Sequence, residues 1–137
     1  DSKEGFMTSG TAKERRRILV VDDDDQILYV WRGALEGHAK EWQVDTAMDG
    51  FEALEKIKTT SFDLIVTDLR MDGMDGCDLT VAVRRLAGNV PVIWITAYPE
   101  PGAQAKADAL GVAQLVNKPI GIARIRQIVA QILEEIT

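Results

Sequence analysis

The chain has 137 residues, of which 46% are hydrophobic and 28% charged, and its formal net charge is −6. This length and composition are sufficient for one domain with a single hydrophobic core. The negative charge argues against non-specific binding to nucleic acid or to an anionic membrane, because both need a positive field.

The cysteine content and the hydropathy pattern indicate a compartment. The single cysteine, Cys77, cannot form an internal disulfide, which is typical of a reducing cytosol. No apolar stretch approaches the roughly 18 residues of a membrane-spanning helix, and no charged and then apolar leader opens the chain. We therefore expect a soluble cytoplasmic protein that binds neither nucleic acid nor membrane directly.

Residues 1–15 are predicted to lie outside the fold, either as a flexible N-terminal segment or as residues left from cloning ahead of a natural start at Met7. The basic run at residues 13–17 is interpreted as a solvated flank of the first strand rather than a recognition patch. Residues 16–137 are predicted to form the domain.

The first half of the chain predicts two strands, each followed by a helix. The apolar run at residues 18–21 is typical of a buried strand, and Asp24 or Asp25 is suited to cap the helix after it. That helix is expected to end at Gly37. Residues 43–47 alternate as in a strand, with Trp42 partly exposed ahead of them. The apolar positions expected to face the core from the two helices are Ile27, Leu28, Trp31, Ala34, Leu35, Phe51, Leu54 and Ile57.

The second half of the chain predicts three more strands, at residues 64–68, 92–96 and 112–116. Glycines and aspartates make residues 69–76 a loop. A helix follows each strand, and the helix at residues 103–110 is the weakest. The apolar positions of the other two helices are Leu79, Ala82, Val83 and Leu86, and then Ile122, Ile125, Val129, Ile132, Leu133 and Ile136.

This alternation of strand and helix predicts an α/β fold, a doubly wound sheet of five parallel strands with helices on both faces. In open sheets of this kind the ligand site lies at the carboxyl ends of the strands. The polar residues that follow the apolar runs are therefore expected to meet there. They are Asp22, Asp23, Asp68, Thr96 and Lys118.

The chemistry of this residue set points to a metal and a phosphoryl group. Carboxylates brought together repel one another, and a hard divalent cation such as Mg²⁺ relieves the repulsion. A carboxylate beside a metal can act as a nucleophile toward phosphorus. Lys118 and the hydroxyl of Thr96 would then stabilise the oxygens of the transferring group.

In this order the residues resemble the receiver domain of two-component response regulators. The resemblance covers residues 16–136 and rests on four segments: Val-Val-Asp22-Asp23, Asp68 followed by Met74-Asp75-Gly76, Ile95-Thr96-Ala97, and Lys118-Pro119. It implies a flavodoxin-like (βα)5 fold, and the strand order 2-1-3-4-5 is taken from the family. It also implies a phosphoacceptor that switches conformation to control an output partner.

The resemblance also implies a role for each site residue. Asp68 would accept the phosphoryl group from a sensor histidine kinase or a phosphotransfer protein. Mg²⁺ would be held directly by Asp23, Asp68 and the backbone carbonyl of Arg70, and through water by Asp22. Thr96 would be the switch hydroxyl. Lys118 would pair with Asp68 and then with the phosphoryl group, and the Lys118-Pro119 bond is predicted to be cis.

Four positions depart from the family pattern or tune it. Leu115 stands where an aromatic residue is usual, so we expect Tyr98 rather than a ring at 115 to respond when Thr96 moves toward the phosphoryl group. Asp72 replaces a usual proline, which makes its loop less rigid and more acidic. Arg70 and Tyr98 occupy positions that in this family affect phosphoryl hydrolysis.

Other functions remain open at this stage. An aspartate-nucleophile phosphatase would need a second acid two residues after its nucleophile. The residue at that distance from Asp68 is Arg70. Asp22 and Asp24 have the required spacing, but a chain of this length scarcely allows the cap domain or substrate loops of such an enzyme. Residues 68–79 resemble a calcium-binding EF-hand and fail at Arg70 and Leu79. A receiver that only binds partners is disfavoured because all five site residues are present.

The output and the extent of the native protein also stay open. A stand-alone phosphate-shuttling receiver and a piece of a longer regulator are both consistent with this sequence. The domain is expected to catalyse its own phosphorylation and dephosphorylation without turning over external substrates. We expect an effector domain or partner to read the face made by the helix before Gly111, the Leu115 strand and the final helix.

Overall fold

Five parallel strands form one sheet in the order β2-β1-β3-β4-β5, within the residues that this computed structural model describes, 15–98 and 100–135. The strands are β1 (Arg16–Val21), β2 (Trp42–Ala47), β3 (Leu64–Asp68), β4 (Val92–Thr96) and β5 (Gln114–Asn117). The predicted fold and strand order are confirmed. The predicted boundary after residue 15 stays a prediction, because residues 1–14 lie outside the described part.

Helices cover both faces of the sheet. They are α1 (Asp25–His38), α2 (Gly50–Thr59), α3 (Gly76–Ala87), α4 (Ala103–Ala109) and α5 (Ile122–Glu135). Side chains alternate along each strand, so Ile18 and Val20 pack with α1 and α5, whereas Leu19 and Val21 pack with α2, α3 and α4. Among the described residues, no helix has the length and apolar content to cross a bilayer.

Aspartates at the ends of strands and loops start three of the helices. Asp24 accepts hydrogen bonds from the backbone N–H groups of α1, and Asp49 does the same for α2. At α3, Asp75 and Asp78 form a reciprocal capping box. These carboxylates satisfy donors that have no partner inside the helix. Helix α1 runs one residue past the predicted end at Gly37, and its last residue is His38.

Four apolar positions differ from their predicted burial. Phe51, Leu86 and Ile122 are 59%, 52% and 43% exposed. In α2 the buried positions are Gly50 and Ala53, which turns the neighbouring Phe51 outward. Trp42, expected to be partly exposed, is buried against the cluster of α1 and α5, with its ring centroid 5.0 Å from that of His38.

Two polar side chains tie α3 to the sheet. The buried indole of Trp94 donates to the Thr80 hydroxyl over 2.8 Å, and that hydroxyl donates to the Gly76 carbonyl. At the other end of the helix, Arg84 donates to carbonyls before β4 and after α4; the acceptors are Gly88, Val90, Leu110 and Gly111. These bonds fix the helix that begins at the functional edge of the sheet.

We expect Thr80→Val to lower the free energy of unfolding by about 1 to 3 kcal/mol, because it leaves the buried indole N–H of Trp94 without its acceptor. Chemical denaturation measures the change. Thr59→Val is the matched control, since that exposed hydroxyl bonds only carbonyls of its own helix. An equal loss in both variants would contradict the account.

Candidate functional site

The carboxyl ends of the strands bring the five predicted side chains to one edge of the sheet. Asp22 and Asp23 follow β1, Asp68 ends β3, Thr96 ends β4 and Lys118 follows β5. One carboxylate oxygen from each of the three aspartates lies within 4.8 Å of those from the other two. The convergence expected from the strand ends is therefore present in the structure.

Lys118 lies against two of these carboxylates. Its Nζ is 3.2 Å from Asp22 Oδ2 and 3.4 Å from Asp68 Oδ2. Its backbone N–H donates to the Thr96 carbonyl over 2.7 Å, which holds the residue to the end of β4. The Lys118-Pro119 bond is cis, as predicted. The ammonium is thus fixed between the ends of β1 and β3.

The charges at this edge are not balanced. Burial raises the pKa of Asp68, and although the attraction of Lys118 opposes this, repulsion by Asp22 adds to the upward shift. Burial alone would lower the pKa of Lys118, but the attraction of Asp22 and Asp68 outweighs it and the net shift is upward. The Asp68 shift is thus mainly an effect of burial, to which Asp22 adds and which the attraction of Lys118 does not cancel, whereas the Lys118 shift comes from the two carboxylates beside it.

Close packing of the loop after β3 positions Asp68. The Thr67 hydroxyl donates to the Asp68 carbonyl over 2.9 Å. Gly76, the first residue of α3, sits so close that a Cβ there would lie 2.5 Å from the Asp68 carbonyl oxygen. Its N–H donates to Leu69. Only glycine fits this close approach. Gly76 was part of the sequence motif, but the motif did not indicate this packing role.

Thr96 is fully buried, and its hydroxyl engages the loop that follows it. The hydroxyl donates to the Tyr98 carbonyl and accepts from the Tyr98 N–H, both over 3.1 Å. Tyr98 itself is 65% exposed. Any movement of the Thr96 hydroxyl toward Asp68 must therefore break two bonds to the backbone of this loop.

Arg70 joins the loop after β3 to the loop after β4. Its N–H donates to Asp68 Oδ1 over 3.4 Å, and its guanidinium pairs with Glu100 and lies 5.3 Å from the centre of the Tyr98 ring. Glu100 was not predicted as part of the site. No local pattern could have revealed it, since 30 residues separate the two partners. The metal-ligand role of the Arg70 carbonyl stays a prediction.

A cleft of about 380 Å³ opens beside the aspartates, between these two loops. Asp23, Arg70, Glu100, Trp94 and Lys106 are among its lining residues. Asp23 is exposed and Asp22 is buried, so the cluster is reached from the side of Asp23. Three oxygen donors with uncompensated charge and an approach from solvent fit a hard divalent cation.

Comparison with known proteins identifies the family. The model of the response regulator receiver domain matches residues 18–130. The chain is 30% identical over 120 residues to the transcriptional regulatory protein ZraR of Klebsiella oxytoca, covering 88% of this chain and 27% of that protein. It is 33% identical to a protein-glutamate methylesterase/protein-glutamine glutaminase of a Nocardioides species, covering 86% of this chain and 33% of that protein.

Solved structures agree with the family model. A CheY-like receiver domain protein from Methanospirillum hungatei has a TM-score of 0.83 at 26% identity, covering 88% of this chain and 95% of that one. The receiver domain of Francisella response regulator 1452 has a TM-score of 0.81 at 28% identity, covering 90% and 100%.

The chain therefore belongs to the response regulator receiver domain family of two-component systems. It spans about a third or less of the two curated relatives named above. The phosphatase considered from the sequence is not favoured by these matches.

We expect Asp68→Asn to raise the free energy of unfolding at neutral pH without divalent cations. A folded-state pKa above 3.8 means that Asp68 opposes folding increasingly as pH rises through the window from that value to the raised pKa. The gain should therefore narrow as pH falls and vanish below 3.8, where the carboxyl becomes protonated in both states. Denaturation at several pH values in chelator measures it.

The control for this experiment is Glu55→Gln, which removes the same charge from an exposed pair with Lys58 on α2. Exposed pairs contribute little, so we expect a change of less than about 1 kcal/mol at any pH. A parent more stable than Asp68→Asn at neutral pH would show that Lys118 overcompensates the cluster.

Proposed function

We propose that this receiver domain accepts a phosphoryl group on Asp68 from a phosphohistidine of a sensor kinase or phosphotransfer protein. The observation that carries the proposal is the position of the Asp68 carboxylate. It lies beside the ammonium of Lys118, 3.4 Å away, and within the acidic cluster of Asp22 and Asp23. Of the three carboxylates, Asp68 also lies at the base of the loop that leads to Arg70.

The cofactor we propose is Mg²⁺. Asp23, Asp68 and the backbone carbonyl of Arg70 would hold it directly, and Asp22 through water. When bound, it would neutralise the excess carboxylate charge and draw negative charge from the phosphoryl oxygens. The donor set supports this choice because it consists of hard oxygen atoms.

The chain's own residues carry the transfer. An Asp68 oxygen forms a bond to phosphorus while the bond from phosphorus to the imidazole nitrogen breaks, and that nitrogen keeps the electron pair. The Lys118 ammonium would exchange its contact with the Asp68 carboxylate for a contact with a phosphoryl oxygen, which carries the negative charge after transfer. Its ammonium already lies between Asp22 and Asp68, which supports this role, because little reorganisation is needed.

The conformational response is proposed to begin at Thr96. Its hydroxyl would leave the Tyr98 backbone for a phosphoryl oxygen, which would release the loop after β4. Tyr98 could then move, since its ring is exposed and also lines a groove with Trp31 and Pro119. Leu115 is only partly buried and has no ring to follow the threonine.

Partners and location follow as further proposals. Three relatives bear the names of transcriptional regulatory proteins, and the chain spans a small part of each. We propose that an effector domain or output partner reads the face formed by α4, β5 and α5, in the cytoplasm. The stand-alone phosphate shuttle remains the second candidate, since either arrangement uses the same site.

Incubation with acetyl phosphate and Mg²⁺ is expected to add one phosphate to the domain, measured as intact mass. Asp68→Asn should abolish the gain, because the amide is not a nucleophile toward phosphorus. Asp72→Asn, which removes an exposed acid from the same loop, should keep it. Undiminished labelling of Asp68→Asn would reject the assignment.

Titration with Mg²⁺ is expected to raise the melting temperature of the parent, because a ligand bound by the native state adds stability by mass action. Asp23→Ala should need a Mg²⁺ concentration about tenfold higher or more for the same rise. Loss of a residue that only supports a metal ligand already costs about tenfold in metal affinity, and Asp23 is proposed as a direct ligand. Asp72→Ala is the matched control and should respond as the parent does. Parent-like binding by Asp23→Ala would show that the metal site is wrong.

A further inference from the structure

The ion pair between Arg70 and Glu100 spans the two loops that border the phosphoacceptor. Arg70 lies two residues after Asp68, and Glu100 lies four residues after Thr96. Their charged atoms are 2.5 Å apart, and the guanidinium also lies over the Tyr98 ring. The loop after β4 therefore determines where the Arg70 charge sits.

This pair is held weakly. The two side chains are 55% and 45% exposed, and exposed ion pairs contribute little because water screens them and ordering two long side chains costs entropy. A competing anion of higher charge within reach of Arg70 would therefore displace Glu100.

The phosphoacceptor is within that reach. The Arg70 N–H donates to Asp68 Oδ1, so the base of its side chain is already at the carboxylate. Arg70, Glu100 and Asp23 line the same cleft of about 380 Å³, so open space connects the guanidinium to the acidic cluster. Rotation of the exposed Arg70 side chain through this cleft would exchange its partners.

We propose that Glu100 holds Arg70 away from the phosphoryl site, and that phosphorylation of Asp68 transfers the guanidinium from Glu100 to the phosphoryl oxygens. The inference rests on the proposed function of Asp68. A phosphoryl group adds roughly one to two negative charges and three acceptor oxygens. Arginine binds such groups through two parallel hydrogen bonds, which an exposed carboxylate does not match.

The exchange changes the surface of the loop after β4. Glu100 becomes an uncompensated negative charge and the Tyr98 ring loses the cation that covers it. The same loop loses its bonds to Thr96 if that hydroxyl also turns to the phosphoryl group. Glu100 is thus a positioning residue, since it acts on the phosphoryl site only through Arg70.

The test is a double-mutant cycle read out with beryllofluoride and Mg²⁺, which mimic the phosphoryl group. Tryptophan fluorescence reports binding, since one of the three tryptophans, Trp94, lines the cleft. Glu100→Gln should tighten beryllofluoride binding by about two- to fivefold, the range that exposed pairs contribute, and Arg70→Gln should weaken it. In the Arg70→Gln background, Glu100→Gln should have no further effect.

Glu55→Gln, which breaks the exposed pair with Lys58 on α2, is the control and should leave binding unchanged. Unchanged affinity in Glu100→Gln would overturn the inference. So would a gain that persists without Arg70, because it would show a general charge effect. If the parent itself neither binds beryllofluoride nor gains phosphate, the proposed function fails and this inference fails with it.

Discussion

The contact of Lys118 with the carboxylates of Asp22 and Asp68 is the interaction on which the functional edge depends. One ammonium lies between two carboxylates, and the third, Asp23, stands beside them on the open side. Burial is the main cause of the upward pKa shift of Asp68, and repulsion by Asp22 adds to it. In the proposed function a divalent cation would relieve this imbalance, and a phosphoryl group bound with it would use the same positive charges.

The loops around this edge connect the charge imbalance to the surface. Gly76 packs α3 closely against the Asp68 carbonyl, which holds the proposed phosphoacceptor in place. Among the described residues, the contacts of the opposite loop include the two bonds of the Thr96 hydroxyl and the exposed pair of Arg70 with Glu100. A change of charge at Asp68 would therefore act first on these exposed or single polar contacts of the loop after β4, because they cost little to break.

The features of the fold and site that could be predicted are those that depend on continuous local patterns in the sequence. Apolar runs marked the buried strands, and parallel strands bring their ends together, so the convergence of Asp22, Asp68 and Lys118 followed. Phe51 was misplaced because adjacent helical positions differ by 100° and its neighbour Gly50 takes the core position under Met74. The pairing of Arg70 with Glu100 depends on the spacing of two loops, which no sequence period encodes.

Reduction with borohydride tests the central claim most directly, because it converts an aspartyl phosphate to homoserine at the residue that carried the phosphate. After treatment with acetyl phosphate and Mg²⁺, peptide mass analysis should find homoserine at position 68. Homoserine at position 22 or 23, or a phosphate that resists borohydride, would contradict the account of Asp68 as the nucleophile.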